Sequence, residues 1–239
     1  SYKLNPDFKI EANIPYIYKE LKGEYTGEEL RANGLGDISV GCKYRWGREE
    51  TLQGVTVLNV KTPTGSYKQF ENRKEILALG TGSWDFSINQ TISRVMGPWR
   101  FIGTLGYRFN TKSDYTETNN NGDNIKYENR MGDIFNYLAG VQYTTSYRWL
   151  ILYAHALGVV QGRSQYKETD VQTNTVRRDE EKKDRLATLD LNFGAQLMIT
   201  TNAGIRLGLF IPALTAYDPD VTNYAPREWV VDFGLVGRF

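Results

Sequence analysis

The sequence has very few of the residues on which most metal sites and catalytic centres depend. Its 239 residues include one cysteine, Cys42, and one histidine, His155. A single cysteine excludes an internal disulfide bond and any metal site built on a CxxC pair. A single histidine excludes most metal-ligand sets and most catalytic triads. We therefore expect no bound metal, no cofactor and no catalytic residues.

The chain also lacks long apolar segments and a strong net charge. No stretch approaches the run of about 18 apolar residues that a membrane-spanning helix needs, which excludes a helical membrane protein. The formal net charge of +1 argues against a nucleic-acid partner. The mean hydropathy of -0.50 resembles that of a soluble protein, but a transmembrane β-barrel has a similar value because only every second residue faces lipid.

Aromatic residues, by contrast, are abundant. The 16 tyrosines, 10 phenylalanines and 5 tryptophans stand against only 7 prolines, a composition that favours β-strands. Apolar and polar residues alternate with a period of two in ten segments, most clearly where Leu189, Leu191 and Phe193 are separated by Asp190 and Asn192. The ten predicted strands are 8–19, 37–46, 52–61, 84–94, 99–110, 130–144, 149–161, 186–200, 203–211 and 229–239.

The connections between the predicted strands alternate between short and long. The short ones are 47–51, 95–98, 145–148 and 201–202, and the long ones are 20–36, 62–83, 111–129, 162–185 and 212–228. This alternation is typical of outer-membrane barrels, which have tight periplasmic turns and extended extracellular loops. Trp46, Trp99 and Trp149 adjoin short turns, whereas Trp84 and Trp229 adjoin long loops, as in the two aromatic girdles of a barrel.

The last segment, 229–239, completes the prediction of the fold. An unpaired strand edge is costly in lipid, so we expect this strand to close a barrel against the first one, with Phe239 as the signal to the barrel assembly machinery. The sequence thus predicts an all-β protein: a transmembrane antiparallel up-and-down β-barrel of about ten strands, with residues 1–239 as a single domain. It predicts a bacterial outer-membrane location, contact with membrane lipid, and both termini in the periplasm. No signal peptide is visible at Ser1, and we interpret the sequence as a mature or trimmed chain.

The polar face of each predicted strand would line the lumen of the barrel. Charges of both signs are mixed on this face, so we expect no strong ion selectivity. The segment 149–161 is apolar on both faces; alternation leaves its register open and indicates that part of the lumen is apolar. We expect Asp37 to pair with Arg45, Arg100 or Arg108 across the barrel, either as a structural ion pair or as part of the pore lining. The predicted pore-lining residues are Asp37, Lys43, Arg45, Asp85, Asn89, Arg100, Arg108, Asn136, Gln142, Asp190, Asn192, Gln196, Arg206, Asp232 and Arg238.

Four motifs in the first half of the chain carry a family resemblance. They are IEANIPY at 10–16, GLGDISVGCKYRW at 34–46, VKTPTGSY at 60–67 and LGTGSWDFSINQTIS at 79–93. In order and spacing they resemble the outer-membrane channel family associated with the meta-pathway of phenol degradation. The resemblance implies a monomeric barrel that admits hydrophobic or aromatic small molecules. It also implies twelve strands, so the strand count stays open between ten and twelve, the latter if an upstream hairpin is missing from this chain.

Three functions are consistent with such a barrel. The prediction we favour is an outer-membrane channel for passive uptake of small hydrophobic or aromatic solutes. A structural or adhesion barrel with a filled interior is the second candidate. An outer-membrane hydrolase is the third, but its only candidate residue, His155, lies in the middle of a strand without an acidic neighbour in that strand.

The long connections carry less information. The segments 111–130 and 168–185 are charged or rich in asparagine, so we expect solvated, partly mobile loops in which contacts with lipopolysaccharide are a further candidate. The tripeptide Pro63-Thr64-Gly65 is expected to terminate a strand. Gly80-Thr81-Gly82 lacks the lysine and the helix of a phosphate-binding loop, which argues against nucleotide binding.

Overall fold

The structure, a computed structural model, contains strands, turns and irregular segments. It describes residues 2–3, 5–22, 29–48, 50–66, 70–71, 74–75, 77–118, 122–147, 149–182, 184–200, 203–217 and 229–237. Within these ranges there is no helix that is long and apolar enough to cross a membrane.

Eleven strands form one antiparallel sheet in which neighbours along the chain are neighbours in the sheet. They are β1 (Tyr2–Lys3), β2 (Phe8–Asn13), β5 (Ser39–Arg48), β6 (Leu52–Lys61), β9 (Asp85–Met96), β10 (Trp99–Asn110), β13 (Ile134–Thr144), β14 (Leu150–Gln161), β17 (Leu186–Met198), β18 (Ala203–Tyr217) and β19 (Val230–Gly237). The four short connections lie where the sequence predicts them. Among the described residues β19 does not pair with β1 or β2, so the sheet has two edges.

The remaining strands form three smaller sheets outside this meander. Two are hairpins, β3 (Tyr16–Lys22) with β4 (Glu29–Leu35), and β7 (Phe70–Glu71) with β8 (Lys74–Glu75). The third has four strands in the order β11 (Lys112–Thr118), β12 (Asn124–Arg130), β15 (Gln165–Asp170) and β16 (Thr175–Glu181). It continues the two long hairpins β10–β13 and β14–β17 beyond the main sheet, and we call it the upper sheet.

The main sheet has an apolar face that is exposed and a polar face on which several side chains are buried. On the apolar face Phe101 and Leu105 are 47% and 58% exposed. On the polar face, where register pairs them, Asp85 and Asn110 are 8% and 2% exposed. A water-soluble sheet that buries one face has the opposite arrangement. The packing of this sheet is therefore inverted relative to that of a soluble protein.

Strand β14 illustrates how packing settles a register that alternation leaves open. Its pairing with β13 and β17 puts Tyr153 and His155 on the polar face and Leu152 on the apolar face. The Tyr153 side chain lies over Gly194, and the His155 ring lies over Gly140, where any Cβ atom would collide with them. These glycines on neighbouring strands provide the space in which the two large rings lie flat on the polar face of the sheet.

The predicted first strand, 8–19, is wrong in its second half. Strand β2 ends at Asn13, and the chain from Tyr16 onward pairs with β4 instead of with the main sheet. Pro15 separates the two segments, and a proline has no backbone N–H to donate to a ladder. Its carbonyl oxygen instead accepts a hydrogen bond from the N–H of Gly36 at 2.9 Å.

The segments 111–130 and 168–185, which the sequence predicts to be solvated loops, form strands over most of their length. Both contribute strands to the upper sheet, and the predicted strand 130–144 is broken between Arg130 and Ile134. Buried or stacked side chains hold the upper sheet together: Ile125 is buried, and the rings of Tyr115 and Tyr127 stack with centroids 5.0 Å apart. Cross-strand aromatic pairs of this kind stabilise strands that charged neighbours alone would leave solvated.

Candidate functional site

The polar face of the main sheet gathers the predicted pore-lining residues. By strand register, the following side chains share this face: Lys43, Arg45, Asp85, Asn89, Arg100, Arg108, Asn136, Gln142, Asp190, Asn192, Gln196, Arg206 and Asp232. Asp37 lies just before β5 at the end of the same face. Arg238 and Phe239 lie outside the described residues. That these side chains line a pore stays a prediction.

A buried ion-pair cluster lies at one end of the polar face. The Lys61 ammonium is 3.2 Å from Oδ2 of Asp37 and 2.6 Å from Oδ2 of Asp85. It also donates a hydrogen bond to the Thr81 hydroxyl. The Asp37 side chain is only 6% exposed and that of Lys61 20%. One cation thus bridges two carboxylates that have little contact with water.

Backbone groups complete the binding of the Asp37 carboxylate. Its Oδ1 accepts a hydrogen bond from the N–H of Gly65 at 3.0 Å, and its Oδ2 accepts one from the N–H of Thr81 at 2.8 Å. Burial by itself would raise the pKa of Asp37, but the hydrogen bonds from Thr81, Gly65 and Lys61 outweigh it and lower the pKa below the ordinary value. Asp37 is therefore held in its ionised form.

This geometry corrects the prediction that Asp37 pairs with Arg45, Arg100 or Arg108. Its partner is Lys61, a residue that was absent from the predicted set. Arg45 is eight residues further along, so roughly 26 Å of extended strand separates the two. One feature of the strand pairing indicates this partner. Lys61 ends β6 opposite Ser39, where β5 begins, so the two strand ends meet at one rim of the sheet.

The motifs that carry the family resemblance come together at this rim. Asp37 belongs to the first glycine-rich motif, Lys61 and Gly65 to the second, and Thr81 and Asp85 to the third. The backbones of these motifs pack so closely that a Cβ atom on Gly65 would lie 3.0 Å from backbone atoms of Gly36 and of Gly80. Pro63-Thr64-Gly65 thus does more than terminate a strand, because the hydroxyl of Thr64 also accepts a hydrogen bond from the N–H of Ile38 at 2.8 Å.

A cavity of about 300 Å³ opens beside the cluster, and we call it the charged cavity. It holds two carboxylates, from Asp37 and Asp85, and two cations, from Lys61 and Arg108. Such a lining offers hydrogen-bond donors and acceptors to a polar group without favouring one sign of charge. The complete set of lining residues is Asn13, Asp37, Ser39, Asn59, Lys61, Thr81, Asp85, Ser87, Arg108, Asn110, Met131 and Ile134.

His155, the one candidate for acid–base chemistry, lies elsewhere on the polar face. It stacks on Tyr153 with ring centroids 5.1 Å apart, and no described residue forms a hydrogen bond with its Nε2 atom. A catalytic histidine needs a carboxylate or a nucleophile within hydrogen-bond distance. Within the described part of the chain, no group of three or more His, Cys, Asp or Glu side chains is placed to hold a metal ion.

Comparisons with known proteins agree with this architecture. Among solved structures, the chain is similar to the crystal structure of an outer membrane channel from Pseudomonas putida F1, with a TM-score of 0.57 and 14% sequence identity over 98% of this chain and 77% of that one. At that identity the likeness shows a shared fold. No curated protein matches the sequence. Residues 2–209 match the family described as "Putative MetA-pathway of phenol degradation". The chain belongs to this family, as its four motifs predict.

Proposed function

We propose that the protein is an outer-membrane channel that admits small, neutral, partly aromatic solutes by passive diffusion. The observation that carries the proposal is the inverted packing of the main sheet, with large apolar side chains exposed on one face and polar ones such as Asp85, Asn110 and Asn192 buried on the other. Exposed aromatic and aliphatic side chains over a whole sheet face are unfavourable in water and favourable in lipid. The shared fold with an outer membrane channel supports the same conclusion.

The proposed arrangement is a closed barrel with the apolar face toward lipid, made of the ten long strands of the main sheet, or of twelve if the two-residue β1 belongs to a further hairpin. In a membrane the free N–H and C=O groups of a sheet edge have no water to bind, so closure at the β1 and β19 edges is strongly favoured. The barrel is proposed to act as a monomer, with both termini in the periplasm, the upper sheet outside the cell, and Phe239 contacting the assembly machinery. Lipopolysaccharide is the proposed lipid neighbour of the upper sheet.

The proposed lumen is the polar face, and its lining supports a neutral solute with an aromatic part. Its charges are of both signs, so neither cations nor anions gain a strong advantage. Apolar side chains interrupt the charged ones: Val55, Leu138 and Leu157 share one register row. An apolar strip lowers the cost of admitting an aromatic ring, while it removes hydration from a sugar without replacing the lost hydrogen bonds.

Liposome swelling tests the proposed solute class. We expect vesicles containing the protein to swell faster in a phenol-like solute than in a pentose of similar size, after subtraction of the permeation through protein-free vesicles. Impermeability to both solutes, in protein shown to be folded by its heat-modifiable mobility, would contradict the channel and favour a structural barrel with a filled interior.

A double variant, in which Arg100 and Arg108 are both replaced with alanine, tests whether these side chains line the pore. If the pore narrows where these side chains point inward, the double variant should conduct more and lose any preference for anions. Arg178→Ala in the upper sheet is the control, because Arg178 pairs there with Glu180 at 2.8 Å. A change in stability without any change in permeation would show instead that the interior is filled.

A further inference from the structure

Two cations face each other at the edge of the upper sheet that is nearest to the main sheet. Lys112 begins β11 and Arg130 ends β12, and the strand register places them directly opposite each other. We call these two residues the basic pair. Residues directly opposite each other on antiparallel strands share one face of the sheet, and like charges in such positions are destabilising. The arrangement therefore favours an anion between the two side chains.

The basic pair lies on the side of the upper sheet that continues the apolar face of the main sheet. The guanidinium carbon of Arg130 is 5.2 Å from the centre of the Phe109 ring, which belongs to the apolar face. The register partner of Phe109 is Phe86, and the Phe86 ring stacks with that of Trp84 at a centroid distance of 6.5 Å. An aromatic belt with a long cationic side chain above it is typical of the level at which a membrane meets water. In the proposed barrel the basic pair is therefore at the height of the lipid headgroups.

The two cations differ in how far the protein itself neutralises them. Arg130 forms an ion pair with Asp133 at 3.2 Å, and its Nε donates a hydrogen bond to the carbonyl oxygen of Asn110 at 3.1 Å. These contacts hold its guanidinium in place. The Lys112 side chain is exposed, and none of the residues that the structure describes forms an ion pair with it. Lys112 thus has a positive charge opposite it in the register and no carboxylate to offset its own.

An open cavity of about 300 Å³ lies beside the basic pair, and both cations contribute to its lining. Four carboxylates also line it, and three of them lie within 3.5 Å of a cation while the fourth faces one in the register. The pairs are Glu128 with Lys126, Glu180 with Arg178, Glu181 with Arg163, and Asp179 with Lys167. These carboxylates therefore leave the charge of Lys112 available to a ligand.

From these observations we propose that Lys112 and Arg130 bind a phosphate group of the outer-leaflet lipid, namely that of the phosphorylated sugar headgroup of lipopolysaccharide. Phosphate oxygens accept charge-assisted hydrogen bonds from both lysine and arginine. Position and charge together identify this lipid, because acyl chains that lie along the apolar face place an anionic headgroup next to the basic pair. The inference names the residues of the lipid contact proposed above, and it rests on the proposed orientation of the barrel.

Native mass spectrometry of the whole protein in detergent micelles is the experiment, with lipid A, the phosphorylated anchor of lipopolysaccharide, as the probe. A chelator is present throughout, so that no divalent cation links the lipid to carboxylates. We expect the wild type to bind lipid A more tightly than dephosphorylated lipid A, which has the same acyl chains. Lys112→Gln should weaken the binding of lipid A about fivefold, the effect of one basic residue at an anionic lipid surface. It should leave the binding of the dephosphorylated lipid unchanged, and Lys112→Arg, which retains the charge, should bind lipid A as the wild type does.

Arg48→Gln is the control, because it removes one positive charge at the opposite edge of the main sheet, where Arg48 ends β5. It should leave the binding of lipid A unchanged. Equal affinity of the wild type for the two lipids, an unchanged affinity in Lys112→Gln, or equal weakening by Lys112→Gln and Arg48→Gln would overturn the phosphate site. Displacement of lipid A by an equal concentration of inorganic phosphate would assign the basic pair to free phosphate and overturn the lipid as its ligand.

The phosphate site and the channel are tested separately. Neither lipid A binding nor its loss in Lys112→Gln depends on permeation through the lumen. If the wild type admits phenol in the swelling assay but does not distinguish the two lipids, the phosphate site fails while the channel stands. If it distinguishes the lipids but admits neither solute, the channel fails while the phosphate site stands.

Discussion

Lys61→Met is expected to lower the free energy of unfolding by about 3–5 kcal/mol, the usual cost of removing one partner from a buried ion pair. The loss is large because the lysine bridges two carboxylates at once, those of Asp37 and Asp85. In the variant, both carboxylates would remain in a site with little water and without the cation that neutralises them. Urea titration of tryptophan fluorescence in lipid vesicles measures the change.

Two further variants separate this interaction from a general effect of losing a lysine. Lys43→Met removes a lysine on the same face that forms no described ion pair with a buried carboxylate, so it should change the unfolding midpoint much less. Adding Asp85→Asn to Lys61→Met removes one of the two stranded charges and should restore part of the lost stability. Equal effects of Lys61→Met and Lys43→Met would show that the ion-pair cluster does not stabilise the rim.

Cys42→Arg is expected to destabilise the protein by about 2–4 kcal/mol, as a basic residue does near the middle of the lipid-facing surface of a barrel. Cys42 lies within β5 on the apolar face, where register pairs it with Ile10 and Leu58. The guanidinium would have to leave the hydrocarbon or draw water and headgroups toward it. The same urea titration in vesicles measures the loss.

Asn59→Arg is the matched control for this substitution. Asn59 follows Leu58 in β6 and lies on the polar face at a similar depth. An arginine there would enter the proposed lumen, so we expect a smaller loss of stability than for Cys42→Arg. If the order of the two effects were reversed, the polar face, and not the apolar one, would be in contact with lipid.

The strands of the main sheet could be predicted because each combines a two-residue period with a turn of recognisable length. Leu186–Met198 alternates almost without exception, and the structure places it within one or two residues of the prediction. The register of β14 could not be obtained this way, since both of its faces are apolar. It depends on Gly140 and Gly194 in neighbouring strands, whose missing side chains provide space for His155 and Tyr153.

The upper sheet could not be predicted because the composition of its strands resembles that of a charged, solvent-exposed surface. In β16 every residue from Thr175 to Glu181 is exposed, so no apolar face marks it as a strand. Its pairing is carried by β15, and through β12 by the stacked rings of Tyr115 and Tyr127. The pairing of β12 with β15 joins residues as far apart in the sequence as Ile125 and Asp170, and local composition does not reveal such a contact.

The ion-pair cluster was missed for a similar reason. The sequence predicts arginine partners for Asp37, because strand alternation alone does not distinguish among the cations on the same face. The choice of Lys61 follows from the closure of three irregular segments over one carboxylate, in which Gly65 and Thr81 donate their backbone N–H groups. Irregular backbone of this kind has no repeating pattern of residue types. The sequence therefore reveals the three motifs but not that they lie next to each other in the fold.

Conductance of the purified protein in planar lipid bilayers tests the central claim most directly, namely that the polar face encloses an open lumen across the membrane. We expect discrete current steps as single molecules insert, with weak selectivity between cations and anions because the lining carries both signs of charge. Protein that is folded and inserted in the bilayer, yet gives no current above that of lipid alone, would contradict the channel.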